Sequence, residues 1–272
     1  MINENDFKKL ADVLYRRTGI SLDIKRFNIL KPKLEKVMQK YNYDSFRNFF
    51  HDYRFDKNKN LKQELLNTVT INETYFYREK YQFESLVGDI LHKLDAVKPV
   101  GDTIRILCAP SSTGEEPYSI ALSLLDEDDI INKRDIELVG IDIDSNVIEK
   151  AKRGLYSKRS IQYVPKHLLD EYFTKRGNEY ELAEFLRDAV DFQVVNVMDK
   201  FALKRLGKFD VIFSRNMLIY FDDESRKQVA MSFYEMLNPN GVVFLGHAES
   251  MSRIASVFTT AKSGNSIYYI KE

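Results

Sequence analysis

The chain has 272 residues, 44% hydrophobic and 30% charged, enough apolar material for a sizeable core in one large domain or two smaller ones. One cysteine, Cys108, rules out an intramolecular disulfide, and four scattered histidines offer no metal-ligand spacing. No apolar run approaches the roughly 20 residues that span a bilayer, and the opening MINENDFKKL lacks a signal-peptide core, so a cytoplasmic, metal-free protein is expected.

The formal net charge of zero conceals an asymmetry: residues 1–60 hold 14 Lys/Arg against 8 Asp/Glu, leaving 27 against 33 in the remainder. Residues 1–90 read as a small helical domain. Phe7, Leu10, Ala11, Val13 and Leu14 recur at helical spacing, Thr18-Gly19 ends that helix, and Asn28 to Lys40 and Tyr43 to Tyr53 supply two more amphipathic stretches. Between Lys25 and Lys40 six basic residues (Lys25, Arg26, Lys31, Lys33, Lys36, Lys40) face a single acid, Glu35. Such a face is either a solvated helix surface or a dock for an acidic partner.

Next, Asn72-Glu73-Thr74-Tyr75-Phe76-Tyr77-Arg78-Glu79 joins polar groups to three aromatics. The aromatics suit packing at a domain junction, while Asn72, Thr74 and Arg78 are spaced to converge on a ligand. A helical stretch from Tyr81 to Leu94 follows, and Lys98-Pro99-Val100-Gly101 punctuates the boundary with a second domain over 91–272.

That domain opens with Ile104, Ile106 and Leu107 as a buried strand, a small-residue loop from Cys108 to Gly114, and an apolar-periodic helix entered at Pro117. This is the entry to a βαβ unit, and open α/β sheets bind ligands at the carboxyl ends of such strands. The loop matches neither G-x-G-x-x-G nor G-x-x-x-x-G-K-[ST]. Glu115 and Glu116 at the helix start would repel a pyrophosphate, whereas the hydroxyls and positive charges of S-adenosylmethionine suit them; alternatively both merely complement the helix dipole.

Ile136 to Ile141 reads as a second strand ending at Asp142, where an acid binds ribose hydroxyls in dinucleotide folds. We assign Asp142 to ligand and Asp144 to capping the next helix. Residues 157–188 break the alternation and suggest a small inserted subdomain, with a turn at Gly177-Asn178 and an extended piece from Tyr180 to Leu182. The alternation resumes with strands Val190 to Val197 and Phe209 to Phe213, which end in Asn196 and in Arg215-Asn216. A helix from Asp223 to Leu237, a turn over Asn238-Pro239-Asn240-Gly241, and strands Val242 to Leu245 and Ser266 to Ile270 complete about seven strands, the last two near enough for an edge hairpin.

Taken together, the motifs resemble the CheR-type chemotaxis receptor glutamate O-methyltransferases. N-E-T-x-F-x-R-E is met at Asn72 to Glu79, S-T-G-E-E-P-Y-S at Ser112 to Ser119, D-I-D at Asp142 to Asp144, R-N-x-x-I-Y-F at Arg215 to Phe221, and G-H-x-E at Gly246 to Glu249. The resemblance covers nearly the whole chain. It implies an α/β class I methyltransferase fold, Rossmann-like, with a doubly wound seven-stranded sheet, a small all-helical N-terminal domain and a small insert. It implies S-adenosylmethionine as cofactor, S-adenosylhomocysteine as product, and cofactor contacts from Asn72, Thr74, Arg78, Glu116, Asp142, Asn196, Val197, Arg215 and Asn216. Arg78 and Tyr220 would also face the incoming carboxylate. Family members often carry Asn-Leu where this chain has Asn196-Val197, a change that a backbone contact would survive. The implied partners are the cytoplasmic helical domains of membrane chemoreceptors, met by the basic N-terminal helices of a monomer, with no nucleic acid and no membrane insertion.

The chemistry agrees. A glutamate nucleophile with a reference pKa of about 4.3 is already ionised at neutral pH, so orientation and water exclusion suffice without a strong base. Two alternatives belong to other classes. An amino-directed nucleic-acid methyltransferase would show N/D-P-P-Y/F where Arg215-Asn216-Met217-Leu218 stands, and a non-catalytic cofactor sensor would not need Arg78 and Tyr220.

Overall fold

The computed structural model describes residues 2–127, 130–251 and 254–272. Four helices come first: α1 (Glu4–Thr18), α2 (Phe27–Lys40), α3 (Phe46–Arg54) and α4 (Lys59–Val69). Asn3 and Asp6 close a capping box on α1, and Ser45 and Asn58 cap α3 and α4. The apolar stripes, among them Phe7, Leu10, Leu34, Phe49, Leu61 and Leu65, pack into a core of their own. α4 is one helix more than expected, although Leu61, Leu65, Leu66 and Val69 do carry helical spacing behind an Asn cap.

Helical turns at Tyr81–Ser85 and Leu91–Val97, separated by a π turn over Leu86–Ile90, lead into the sheet domain. Its strands are β1 (Ile104–Cys108), β2 (Ile136–Asp142), β3 (Leu155–Ser157), β4 (Phe173–Arg176), β5 (Glu179–Leu182), β6 (Val190–Val194), β7 (Phe209–Ser214), β8 (Leu237–Leu245), β9 (Thr259–Ser263) and β10 (Ser266–Ile270). Seven of them form one sheet in the order β6-β2-β1-β7-β8-β10-β9, parallel from β6 to β8, with β10 antiparallel to both neighbours. β3, β5 and β4 make a separate antiparallel sheet, which with helices Lys166–Tyr172 and Glu184–Asp188 forms the insert between β2 and β6.

Strand alternation divides the core in two. Ile104, Ile106, Val211, Phe213, Val242 and Phe244 face one layer, while Leu107, Ile212, Val243 and Leu245 face the other. Helix Glu115–Glu127 contributes Tyr118, Ile120 and Leu122 to the first layer, and helix Asp223–Met236 contributes Val229, Ala230 and Phe233 to the second. From β1 the chain winds outward through β2 to β6, then returns to lay β7 on the other side of β1. The switch point therefore lies between the carboxyl ends of β1 and β7, where Ala109 N donates to Phe213 O at 2.8 Å.

Several local expectations shift. β6 stops at Val194, so Asn196 and Val197 lie in the following loop. β8 starts at Leu237, directly after the helix, and absorbs the expected turn through a register shift opposite Phe209–Val211, with Asn240 at φ 63°. β10 pairs with β8, as Val242 opposite Ile270, but its tight hairpin partner and the edge strand is β9. Its sequence TTAKS is largely exposed and has no apolar alternation to mark it.

The helical domain is bolted to the sheet domain on two sides. Gly19 caps α1 at φ 72°, and a Cβ there would lie 2.4 Å from the Phe221 ring. Beside it Ile20 bridges Phe221, Ser21 N donates to Tyr220 O at 3.0 Å, and Tyr15 bonds Asp222. On the other side Gln63 donates to Ile143 O at 2.8 Å, and Asp144 accepts Thr70 Oγ1 at 2.7 Å and Asn72 Nδ2 at 2.8 Å. Asp144, 2% exposed, also caps helix Ser145–Arg153 through Asn146 N. Asp144→Ala should therefore cost about 2–4 kcal/mol, a lost cap plus stranded buried donors. Urea unfolding should show a lower midpoint at unchanged m-value, and a loss below about 0.5 kcal/mol would contradict this clamp.

Candidate active site

A single cleft at the switch point is lined by Asn72, Thr74, Arg78, Glu116, Asp142, Asn196, Val197, Arg215, Asn216 and Tyr220. Four stretches of the sheet domain and the 72–78 segment bring them together. Thr18, Ile20 and Arg26 of the helical domain add a wall.

The loop after β1 forms the floor. Ser111 N donates to Ile141 O at 2.7 Å, Ser112 N donates to Asp142 Oδ2 at 3.0 Å, and Asp144 N donates to Asp142 Oδ1 at 2.9 Å. Gly140 lets this loop lie against β2, since a Cβ there would meet Ser111 at 3.0 Å and Phe192 at 2.7 Å. Asp142 is 5% exposed; burial pushes its carboxyl from 3.8 up to about 6, and the two backbone amides pull the other way.

Of the two helix-start glutamates, only Glu116 lines the cleft. Glu115 turns away and accepts Thr113 Oγ1 at 2.6 Å and Ser160 Oγ of the insert at 2.7 Å. Glu116 lies 2.9 Å from the Arg215 guanidinium, so its charge is compensated rather than left to repel an anion. Burial raises its carboxyl above the ordinary range, with Arg215 opposing.

Arg215 has a side chain only 2% exposed. Besides Glu116 it meets Glu79 at 3.6 Å, donates to the backbone carbonyl of Arg78 and sits 5.3 Å over the Phe83 ring. Phe83 in turn stacks with Phe213 at 5.9 Å, and Phe213 with Phe244 at 4.6 Å. Glu79 was not singled out in the sequence, nor was Glu249, whose Oε2 accepts Asn216 N at 2.8 Å and Gly246 N at 2.9 Å. Both lie inside sequence motifs, but their partners are set by tertiary contact.

The remaining residues divide by what they touch. Asn72 donates to Asp144 and Asn196 Nδ2 donates to Arg17 O at 2.7 Å, so both side chains brace the helical domain at the cleft wall. Val197 is buried, Asn216 turns the chain at φ 57°, and Arg78 and Tyr220 are half-buried. Arg78 donates one N–H to Glu73 O at 3.1 Å and lies 5.9 Å from the Tyr75 ring. Phe76 and Tyr77 pack inward, Phe76 edge-on to Tyr156 at 4.7 Å and Phe173 at 5.4 Å.

The family description "CheR methyltransferase, SAM binding domain" matches residues 72–267, and "CheR methyltransferase, all-alpha domain" matches residues 5–70. The chain belongs to the CheR methyltransferase family. It is 42% identical to Chemotaxis protein methyltransferase 2 of Vibrio cholerae serotype O1, over 100% of this chain and 94% of that protein. A Chemotaxis protein methyltransferase of Campylobacter jejuni is 35% identical over 99% and 97%, and that of Escherichia coli K12 is 28% identical over 100% and 92%. As a CheR methyltransferase the chain is an S-adenosylmethionine-dependent enzyme with a class I fold. Its cleft fits that cofactor: Glu116 Oε1 and Ser111 Oγ are buried with no hydrogen-bond partner among the described residues. An acceptor for an ammonium and a polar group for the cofactor's own hydroxyls or amines are thus both to hand.

Removing Arg215 would strand Glu116 and Glu79 in the interior. Arg215→Met should cost about 3–5 kcal/mol, and adding Glu116→Gln should recover part of it. Equilibrium unfolding of the single and double variants measures this, and an Arg215→Met protein as stable as the parent would disprove the dependence.

Proposed function

We propose that this enzyme methylates glutamate side chains of chemoreceptors, converting each carboxylate to a methyl ester, and that it does so as a cytoplasmic monomer. The observation that carries the reading is the gathering of Arg78 and Tyr220 with the Glu116, Asp142 and Asn196 group in one cleft, with the relatives' names agreeing. Among the described residues no helix is long and apolar enough to cross a membrane.

Bound S-adenosylmethionine supplies a methyl group made electrophilic by the sulfonium. Asp142 holds the ribose hydroxyls, the free Glu116 Oε1 takes the ammonium, and Thr74, Asn216 and the Asn196-Val197 backbone complete the cofactor wall. Arg78 uses the N–H groups not spent on Glu73 to orient the substrate carboxylate, and Tyr220 donates to one of its oxygens. The substrate arrives ionised, so these groups work by alignment and by excluding water.

The basic stretch supports receptor docking in a narrower form than its composition suggests. Arg26 turns inward, donating to Val69 O at 3.0 Å and lining the cleft, and Lys40 pairs with Glu64 at 2.8 Å. Lys33 and Lys36 are exposed on α2 and remain for an acidic helical surface. Tritium from labelled cofactor should enter receptor-containing membranes as a base-labile ester. Charge reversal at Lys33 and Lys36 should lower that transfer and flatten its salt dependence while cofactor affinity holds. Base-stable label would refute the ester, and equal transfer by the variant at low salt would refute the docking face.

Asp142 gives a pH signature. Its folded pKa of about 6 exceeds the ordinary 3.8, so the native chain retains this proton to higher pH than the unfolded chain. The resulting stability is complete below pH 3.8 and is lost as pH rises through about 6. Ribose hydroxyls donate to the ionised form, so S-adenosylhomocysteine affinity should fall as pH drops below about 6. Asp142→Asn should bind about ten- to a hundredfold more weakly at neutral pH and lose that dependence. Calorimetry giving the parent and variant the same profile would remove Asp142 from the ribose.

A further inference from the structure

The late Gly246 to Glu249 segment has no part in the roles above, yet its carboxylate sits behind the turn that carries Tyr220. Glu249 Oε2 accepts Gly246 N at 2.9 Å and Asn216 N at 2.8 Å. The amides of Leu218 and Ile219 also face this carboxylate; burial raises its pKa, and all four amides act against that by favouring the anion. Leu218–Tyr220 is a single 3₁₀ turn, whose first amides have no partner inside the turn. The approach of the two loops is close: a Cβ on Gly246 would meet Asn216 Nδ2 at 2.6 Å and Glu249 Oε2 at 2.9 Å. Glu249 thus touches neither end of the cleft, since it is not among the cleft-lining residues, while Asn216, Ile219 and Tyr220 on the turn it grips all are.

We infer that Glu249 is a positioning residue for methyl transfer, an internal anion that fixes the 216–220 turn and so aims the Tyr220 hydroxyl at the substrate carboxylate. The inference rests on the reading of Tyr220 given under the proposed function. Two ends of the carboxylate do different work. Oε2 holds the Asn216 and Gly246 amides at the cofactor side. Oε1 has no hydrogen-bond partner among the described residues, and the Leu218 and Ile219 amides favour the charge of the carboxylate as a whole. In Glu249→Gln the remaining carbonyl oxygen keeps the Asn216 and Gly246 bonds, because two well-placed donors select it for that side. The new NH₂ replaces the charge that the Leu218 and Ile219 amides favour with further donors, which loosens the turn.

The test is a double-mutant cycle of Glu249→Gln and Tyr220→Phe, read by single-turnover methyl transfer, S-adenosylhomocysteine calorimetry and melting temperature. Each single variant should slow transfer roughly ten- to a hundredfold, since a small misplacement of an aligned group costs that much. Cofactor affinity should stay within about threefold of the parent for both variants, as expected for groups that matter chiefly at the transition state. In the Tyr220→Phe background, Glu249→Gln should slow transfer by less than about twofold more, because both changes remove one contact. Multiplicative losses in the double variant would overturn the inference while leaving Tyr220 in its role, as would cofactor affinity falling in step with the rate. An unchanged rate in Tyr220→Phe would overturn the role of Tyr220 and the inference together. If Glu249→Gln melts below the assay temperature, the same cycle is read at a lower temperature at which all four proteins stay folded, with the same criteria.

Discussion

A guanidinium buried at the carboxyl end of a central strand must be neutralised, and the way Arg215 is neutralised sets the geometry of this cleft. Its side chain has almost no contact with water, so the desolvation cost of the charge is met only by close opposite charges and an aromatic face. Glu116 arrives from the helix after β1, Glu79 and the Arg78 carbonyl from the segment before the sheet, and Phe83 from the helix that follows. Glu79 also meets the His247 ring at 3.3 Å and Gln82 at 3.3 Å, and Gln82 donates to Leu245 O at 2.8 Å. One cation thereby holds together the ends of β1, β7 and β8.

Around the floor formed by the loop after β1, walls come from the helical domain, which has a core of its own, and from the insert, which shares the core on one face of the sheet. The helical domain reaches the cleft through Thr18, Ile20 and Arg26, and the insert reaches the loop after β1 through Ser160, Glu115 and Thr113. Tyr156 OH adds a bond to Thr113 O at 2.9 Å, and Phe76 N to Ser160 O at 2.9 Å. Asp142 is preorganised in the same sense, its oxygens aimed by the Ser112 and Asp144 amides. Little side-chain ordering then remains to be done on binding.

The parts legible in the sequence are those where local pattern and global role agree. Apolar runs at β1, β2 and β7 mark buried parallel strands, and the polar residues placed just after them mark the crevice, because chain order alone puts those ends together. The cleft residues were legible chiefly through ordered motifs. What was not legible depends on partners distant in sequence. Adjacent Glu115 and Glu116 look alike in the sequence, yet about 100° of helical rotation sends one to the insert and the other to Arg215. Asp144 reads as a cap and is one, but its second oxygen clamps Thr70 and Asn72 from another domain. β9 carries no periodicity because both its faces are largely wet, and it exists because β10 offers it an edge.

The strap formed by Gly19, Ile20 and Ser21 against Tyr220, Phe221 and Asp222 has a consequence for how the chain comes to be. The segment it grips follows far later in the sequence: 207 positions separate Tyr15, just before the strap, from Asp222, and 179 separate Arg17 from Asn196. The four N-terminal helices can collapse on their own apolar stripes as soon as they emerge, since their core is local. Their cleft-facing edge, with Gly19 already turned for the Phe221 ring, must then wait on the ribosome until β7 has been laid down beside β1. Closing so long a loop is slow, and the cleft is complete only when these two distant segments meet.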